Sequence, residues 1–189
     1  MSKPKFDIPP ELRDSLRYVE SQDPRSDAEI LASLHPYKPI TTEKNIWAFW
    51  DRGADAMPAW CKRNVANWSR LLGPSWTIRI LDNVPYSPSH ALNYLPEDLL
   101  PPTFIKGTMS GEYVGQHSAD FLRGACLWLY GGVFMDVGII LVRHVDKICW
   151  DVLEDERRME EVAVPGMYGN TIANHFVASR KGSVFIKAW

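Results

Sequence analysis

No stretch of this 189-residue chain approaches the ~18 consecutive apolar residues that a membrane-crossing helix needs, and the N-terminal MSKPKFDIPP has no hydrophobic signal core. As given, the chain is expected to be cytoplasmic and to carry no membrane segment. Cysteine is scarce: Cys61, Cys126 and Cys149 are odd in number, widely spaced and set among apolar residues, which excludes a disulfide framework and reads as reduced core thiols. An excess of one charge is missing too. Lys and Arg number 21 against 23 Asp and Glu, interspersed to a net −2, so nucleic acid is not an expected partner. The five histidines at 35, 90, 117, 144 and 175 show no zinc spacing, and there is no CxxC or HExxH. Nor is there a GxSxG elbow for serine hydrolysis or a GxxxxGK[ST] loop for cradling phosphates. Repeats and low-complexity tracts are absent as well.

What remains is an ordinary folded composition, 46% hydrophobic and 23% charged, enough for one main domain. Residues 1–40 are polar and proline-punctuated and read as a peripheral extension with short helices over 11–20 and 26–34. From Thr41 the pattern changes. Asn45 to Trp50 has the length and composition of a core strand, followed by the loop Asp51-Arg52-Gly53. Pro58 suits a helix start, and Cys61, Val65, Trp68 and Leu72 recur at helical spacing until Gly73 and Pro74. Trp76 to Leu81 reads as a second strand closed by Asp82. A strand, a helix and a strand of these lengths imply a parallel sheet with a crossover helix, so the expected class is α/β. Residues 83–115 hold many prolines and at most one or two short helices. Further strands are expected at 139–142, 162–164 and 172–178, and a solvated acidic stretch, helical in part, at 151–161.

The most informative stretch is HSADFLRGACLWLYGGVFMDVG, residues 117–138. Ser118 reads as a helix N-cap, and Asp120 and Arg123, three residues apart, share one helical face. Leu122, Cys126 and Leu129 supply an apolar stripe. Gly131 and Gly132 stop the helix, and Val133 to Met135 form a short buried strand. Asp136 then stands at the strand's carboxyl end, where open α/β sheets place their ligands.

With these features in order, the chain resembles the DXD-containing glycosyltransferases of family 32 and their capsular polysaccharide synthesis relatives. The resemblance runs from Ser118, Asp120 and Arg123 through an apolar helix to Tyr130-Gly131-Gly132 and the acid Asp136. It departs twice. Ala119 is inserted between the serine and the aspartate, and Gly138 stands where the second acid of the DXD belongs. The resemblance implies a GT-A-like (Rossmann-like) nucleotide-sugar-binding domain over 41–189, the N-terminal part of a larger domain. The apolar run Val184 to Trp189 without a polar tail also suggests truncation at the C-terminus. Relatives of this kind are often Golgi enzymes with an N-terminal anchor.

Such an enzyme holds a nucleotide, neutralises the diphosphate as it leaves and presents the sugar to an acceptor hydroxyl. The resemblance implies that Trp50, with Ile46 four residues before it, stacks the base, and Trp47 is a second candidate; either is also a natural core residue. Asp82 is a candidate for the nucleotide ribose, with turn formation as its plainer role. Asp120 and Arg123 are implied to contact the donor sugar or phosphate, against the alternative of a surface ion pair. Asp136 is the implied ligand of Mn2+ or Mg2+ and the catalytic acid of the motif. Asn174 and His175 fall in a segment where an asparagine faces the donor in the family; His117 is closer to a loop residue. The expected partners are a nucleotide-sugar donor and a glycan or small-molecule hydroxyl acceptor. The alternative is a non-catalytic binding relative of the same fold.

Overall fold

The computed structural model describes residues 8–15, 23–169 and 171–189. A five-stranded sheet in the order β2-β1-β3-β7-β4 forms the frame, made of β1 (Asn45–Phe49), β2 (Thr77–Leu81), β3 (Gly132–Met135), β4 (Val162–Ala163) and β7 (Phe176–Ser179). β1 pairs in parallel with both β2 and β3, while β7 runs antiparallel to β3 and to β4. A separate two-stranded hairpin joins β5 (Gly166–Met167) to β6 (Thr171–Ile172). The α/β class is therefore as the sequence implied, with a mixed sheet.

Every residue of β1 is buried, because the sheet is covered on both faces and its strands need apolar side chains on each. Ile46, Ala48, Val133 and Met135 face α2 (Ala59–Leu72), which presents Cys61, Val65, Trp68 and Leu72. Trp47, Phe49 and Phe134 face the other way, toward Leu122, Ala125, Cys126 and Leu127 of α4 (Val114–Tyr130). Burying each Leu, Ile or Trp here contributes roughly 1.5–3 kcal/mol relative to exposure. α1 (Asp27–Ala32) opens on a capping box in which Ser26 and Glu29 satisfy each other's backbone N–H groups, and it packs on α2. The remaining helices are single turns or little more: α3 (Pro102–Ile105), α5 (Asp151–Leu153) and α6 (Val184–Ala188).

Several expectations are corrected. Ser118 does not cap α4; the cap lies five residues earlier, at Tyr113, and Ser118 is buried within the helix. Gly115, a poor helix former, hides that start in the sequence, and packing beside Asp51 decides it. Ile139 to Val142 form no strand. β3 already has β1 and β7 as neighbours, so the segment cannot pair beside the strand it follows, and Ile140 and Val142 lie exposed. The expected strand over 172–178 is split by a turn into β6 and β7. The acidic stretch 151–161 is helical only at α5, after a π-helical turn at Asp146–Trp150. Residues 83–115 hold three short helical pieces, at Ala91–Asn93, Glu97–Leu99 and α3. The helix expected over 11–20 shows a 3-10 turn at Pro10–Leu12, and its residues 16–20 lie outside those described.

The link from α4 to β3 is the tightest joint. Gly131 and Gly132 both have positive φ, 68° and 102°. A Cβ on Gly132 would stand 2.3 Å from the carbonyl oxygen of Asn45 and 2.8 Å from that of Glu43. Both oxygens belong to backbone that cannot yield. Gly132→Ala is accordingly expected to cost roughly 3–5 kcal/mol or to prevent folding. Gly124, mid-helix in α4 with nothing within 4 Å of an added Cβ, provides the control. Gly124→Ala is expected to stabilise by about 0.5–1 kcal/mol. Thermal melts of the two variants check both, and equal melting temperatures would refute this account of the joint.

Candidate active site

The carboxyl ends of β1 and β3 open into a cleft of about 600 Å3, within the range of small-molecule sites. Phe49 to Arg52 line it from the end of β1, Trp60 and Cys61 from the first turn of α2, and Phe134 and Asp136 to Gly138 from the end of β3. Glu112, Gly115, Gln116, Ala119, Asp120 and Arg123 contribute from α4 and the segment before it, and Asn174 from the turn before β7.

The floor is an ion-pair bridge. Arg123 donates from Nη1 to Asp120 Oδ1, three residues back on α4, and from Nη2 to Asp136 Oδ1 at 3.0 Å. Its side chain is 3% exposed, whereas both carboxylates are 47% exposed and face the cleft. The guanidinium lies over the ring of Phe134, 4.9 Å from its centroid, and its Nε is buried without a partner. A buried guanidinium with both Nη groups committed sets the separation of the two acids; it is not an open donor awaiting a ligand. Asn174 Nδ2 donates to Asp120 Oδ1 at 3.2 Å, and the Asp136 backbone N–H donates to His175 O at 2.9 Å. The turn that breaks the expected strand thus carries Asn174 and His175 to the site.

Burial pushes the Asp136 carboxyl above its ordinary range, and Arg123 and His175 only partly oppose the rise. Part of the cost of taking the Arg123–Asp136 pair out of water is therefore borne by the Asp136 carboxylate.

The structure brings Asp120, Arg123, Asp136, Trp50 and Asn174 to one cleft, but not Trp47 or Asp82. Trp47 is fully buried between Tyr94 and Tyr130, with the Arg79 guanidinium 5.4 Å from its ring centroid. Its Nε1 donates to Gly131 O at 2.9 Å, so it supports the glycine turn and has no face free for a base. Asp82 is 4% exposed and accepts from the Val84 N–H at 3.1 Å and the Ser87 hydroxyl at 2.6 Å, which makes it a turn former. His117 sits in α4 and does not line the cleft.

Sequence reasoning missed Asp51, Arg52, Trp60, Glu112 and Gln116. For the first two a signal existed, since the loop after β1 is at a strand's carboxyl end. Trp60 betrays itself by lying one residue off the α2 stripe of Cys61, Val65, Trp68 and Leu72.

A carboxyl whose native pKa is raised costs nothing below the unfolded pKa, where it is protonated in both states. The cost grows as pH rises toward the native pKa and is fully present above it. Relative to Asp136→Asn, the parent is therefore expected to lose stability as pH rises from the ordinary Asp range toward 7, on top of the constant penalty the variant bears for leaving Arg123 with one partner fewer. The pH slopes of the melting temperature from pH 3 to 7 check this, and equal slopes in parent and variant would refute it.

Comparison with known proteins gives the family. The pattern of the family described as capsular polysaccharide synthesis protein matches residues 24–159. A probable glycosyltransferase, FCK3, of Fusarium pseudograminearum is 54% identical over 97% of this chain and 47% of its own length. The glycosyltransferase afumC of Aspergillus fumigatus is 46% identical over 87% of this chain and 44% of its own. The O-glycosyltransferase braB of Annulohypoxylon truncatum is 42% identical over 96% and 44%. The chain thus spans a little under half the length of these curated relatives. With the match covering well over half of its residues, the chain belongs to the capsular polysaccharide synthesis protein family.

Proposed function

We propose that this chain forms the donor side of a GT-A-like glycosyltransferase that moves a hexose from a nucleotide sugar to the hydroxyl of a glycan, polysaccharide or small molecule. The Arg123 bridge carries the reading. It fixes two half-exposed carboxylates, on α4 and after β3, at the strand ends where α/β sheets bind ligands. The relatives named as glycosyltransferases support the reaction class.

The donor set fits a divalent cation that shares its coordination with phosphate oxygens. Asp136 keeps Oδ2 clear of Arg123, Asp120 stands on the other side of the same guanidinium, and hard oxygen ligands suit Mn2+ or Mg2+. Among the described residues no three acids, histidines or cysteines converge, so of these residues Asp136, with or without Asp120, would be the ligands. When bound, the cation would offset charge developing on the leaving diphosphate.

The chain's own residues do the rest. Asp120, held by Arg123 and Asn174, accepts hydrogen bonds from sugar hydroxyls through its cleft-facing oxygen. Arg123 keeps both carboxylates at fixed separation. Trp50, half-buried at the end of β1 with its Nε1 enclosed, lines the cleft, and the part of its ring that the core leaves uncovered is where the base would stack. The first turn of α4, which no side chain caps, lines the cleft with the positive end of a 17-residue helix dipole, a suitable seat for phosphate.

Gly138 favours a second reading, a non-catalytic binder that keeps the fold. One titration separates the outcomes. Calorimetry of the chain with nucleotide sugars, with and without Mn2+, is expected to show cation-dependent binding that Asp136→Ala weakens by about tenfold or more. Unchanged affinity in that variant would sink the metal assignment. Binding without cation dependence and without sugar release would favour the second reading.

A further inference from the structure

Trp60 is 60% exposed, whereas Trp47, Trp68, Trp76 and Trp150 are almost completely buried, and unlike the similarly exposed Trp189 it lines the cleft. It sits in the first turn of α2, beside the buried stripe, and leans over the end of β3. Its Cη2 and Cζ3 atoms lie 3.5 Å from where a Cβ on Gly138 would be, which is ordinary van der Waals contact. The indole thus rests against the backbone of the residue that replaces the second acid. A Cβ there would already touch the ring, so a larger side chain at 138 would lie against it.

The contact is held rigidly. Asn64 Nδ2 donates to Val137 O at 3.1 Å and Trp68 Nε1 to Ile139 O at 2.9 Å, so α2 grips the carbonyls on both sides of Gly138. The helix that carries Trp60 is thus tied to the loop beneath it on both sides of the contact.

The cleft is also divided by chemistry. Glu112, Gln116, Asp120 and Arg123 on the α4 side and Asn174 are polar, Asp51 and Arg52 add charge where β1 ends, and Trp60 of α2 with Val137 and Gly138 after β3 makes up an apolar wall. Trp50 packs into the core cluster with its Nε1 enclosed, which leaves Trp60 as the open aromatic face next to Asp136. Diphosphate and sugar hydroxyls have their partners on the polar wall. The apolar wall needs a different occupant.

We propose that Trp60 is the platform for the acceptor, that Gly138 keeps this platform uncovered, and that the acceptor is an alcohol or phenol borne on a flat apolar ring system. The inference rests on the glycosyltransferase reading and adds the acceptor's chemical class to it. Stacked on Trp60, such a molecule would present its hydroxyl beside Asp136, two residues from Gly138.

The test uses 2-naphthol as a flat apolar probe, methyl β-D-glucopyranoside as a hydroxyl-rich one, and uridine and guanosine diphosphates with Mn2+ for the donor side, with affinities read by NMR titration. The parent chain is expected to bind 2-naphthol in preference to the glucoside. Trp60→Ala should weaken 2-naphthol about 5- to 20-fold and Trp60→Phe should recover most of the loss, with diphosphate affinity within about twofold throughout. Gly138→Leu, which would screen the indole, should weaken 2-naphthol by a similar factor. Circular dichroism melts confirm that the variants fold, as expected for an exposed position. Unchanged 2-naphthol affinity in folded Trp60→Ala, or a parent preference for the glucoside, overturns the platform. An equal loss of diphosphate and 2-naphthol gives Trp60 to the nucleotide instead and overturns the acceptor assignment. A parent that binds 2-naphthol at Trp60 but neither diphosphate overturns the transferase reading itself, a result distinct from the others.

Discussion

A guanidinium almost wholly removed from water has to be matched by negative charge, and at Arg123 that requirement organises the protein. Its two carboxylate partners come from different elements, Asp120 from α4 and Asp136 from the end of β3. Taking such a charge out of water costs several kcal/mol, which only well-placed partners offset. The bridge therefore holds helix and strand in one relative position. Asp120 and Asp136 also face solvent, so the same bond that fixes the fold exposes two acids at a set separation.

That bond is possible because the chain reverses sharply between residues 123 and 136. Gly131 and Gly132 take backbone angles that other residues adopt only with strain, and the backbone at Glu43 and Asn45 leaves no room for a Cβ at 132. Trp47 completes the joint by donating to the Gly131 carbonyl from inside the core. Arg79, almost fully buried, donates to Asn45 Oδ1 and to the Pro39 carbonyl, and so ties the segment leading into β1 to the same cluster. Site geometry here depends on core packing several residues away.

Much of this was readable from the sequence because it rests on local signals. The stripe Cys61, Val65, Trp68, Leu72 fixed α2 to within a residue, and the apolar runs at 45–50 and 76–81 became β1 and β2. The order Asp120, Arg123, Gly131-Gly132, Asp136 pointed to the site because each residue type has a mechanical reason to be there. What failed had no local signal. Nothing in Ile139 to Val142 reveals that the strand beside it already has two neighbours. Nothing in Trp47 and Trp50, three residues apart, says which is walled in by Tyr94 and Tyr130 and which reaches the cleft. Those are properties of the assembled sheet, decided by which face a residue takes and what lies across from it.

The glycine at 138 is best understood through charge. Four carboxylates line the cleft, at Asp51, Glu112, Asp120 and Asp136, against the two guanidinium groups of Arg52 and Arg123, a formal charge of −2. A diphosphate approaching alone meets repulsion, and in the proposed reaction a divalent cation brings the local charge close to zero before the donor's own charge is counted. An acid at 138 would add a third unit and tighten cation binding to the free protein. Its absence shifts that task to the donor's phosphate oxygens, so cation and nucleotide would assemble together, while the position it vacates belongs to the edge of an indole. On the proposed reading, Gly138 leaves an apolar surface beside Asp136 where a second acid would stand, and the cost would fall on the affinity of the empty protein for metal, not on the geometry that Arg123 sets.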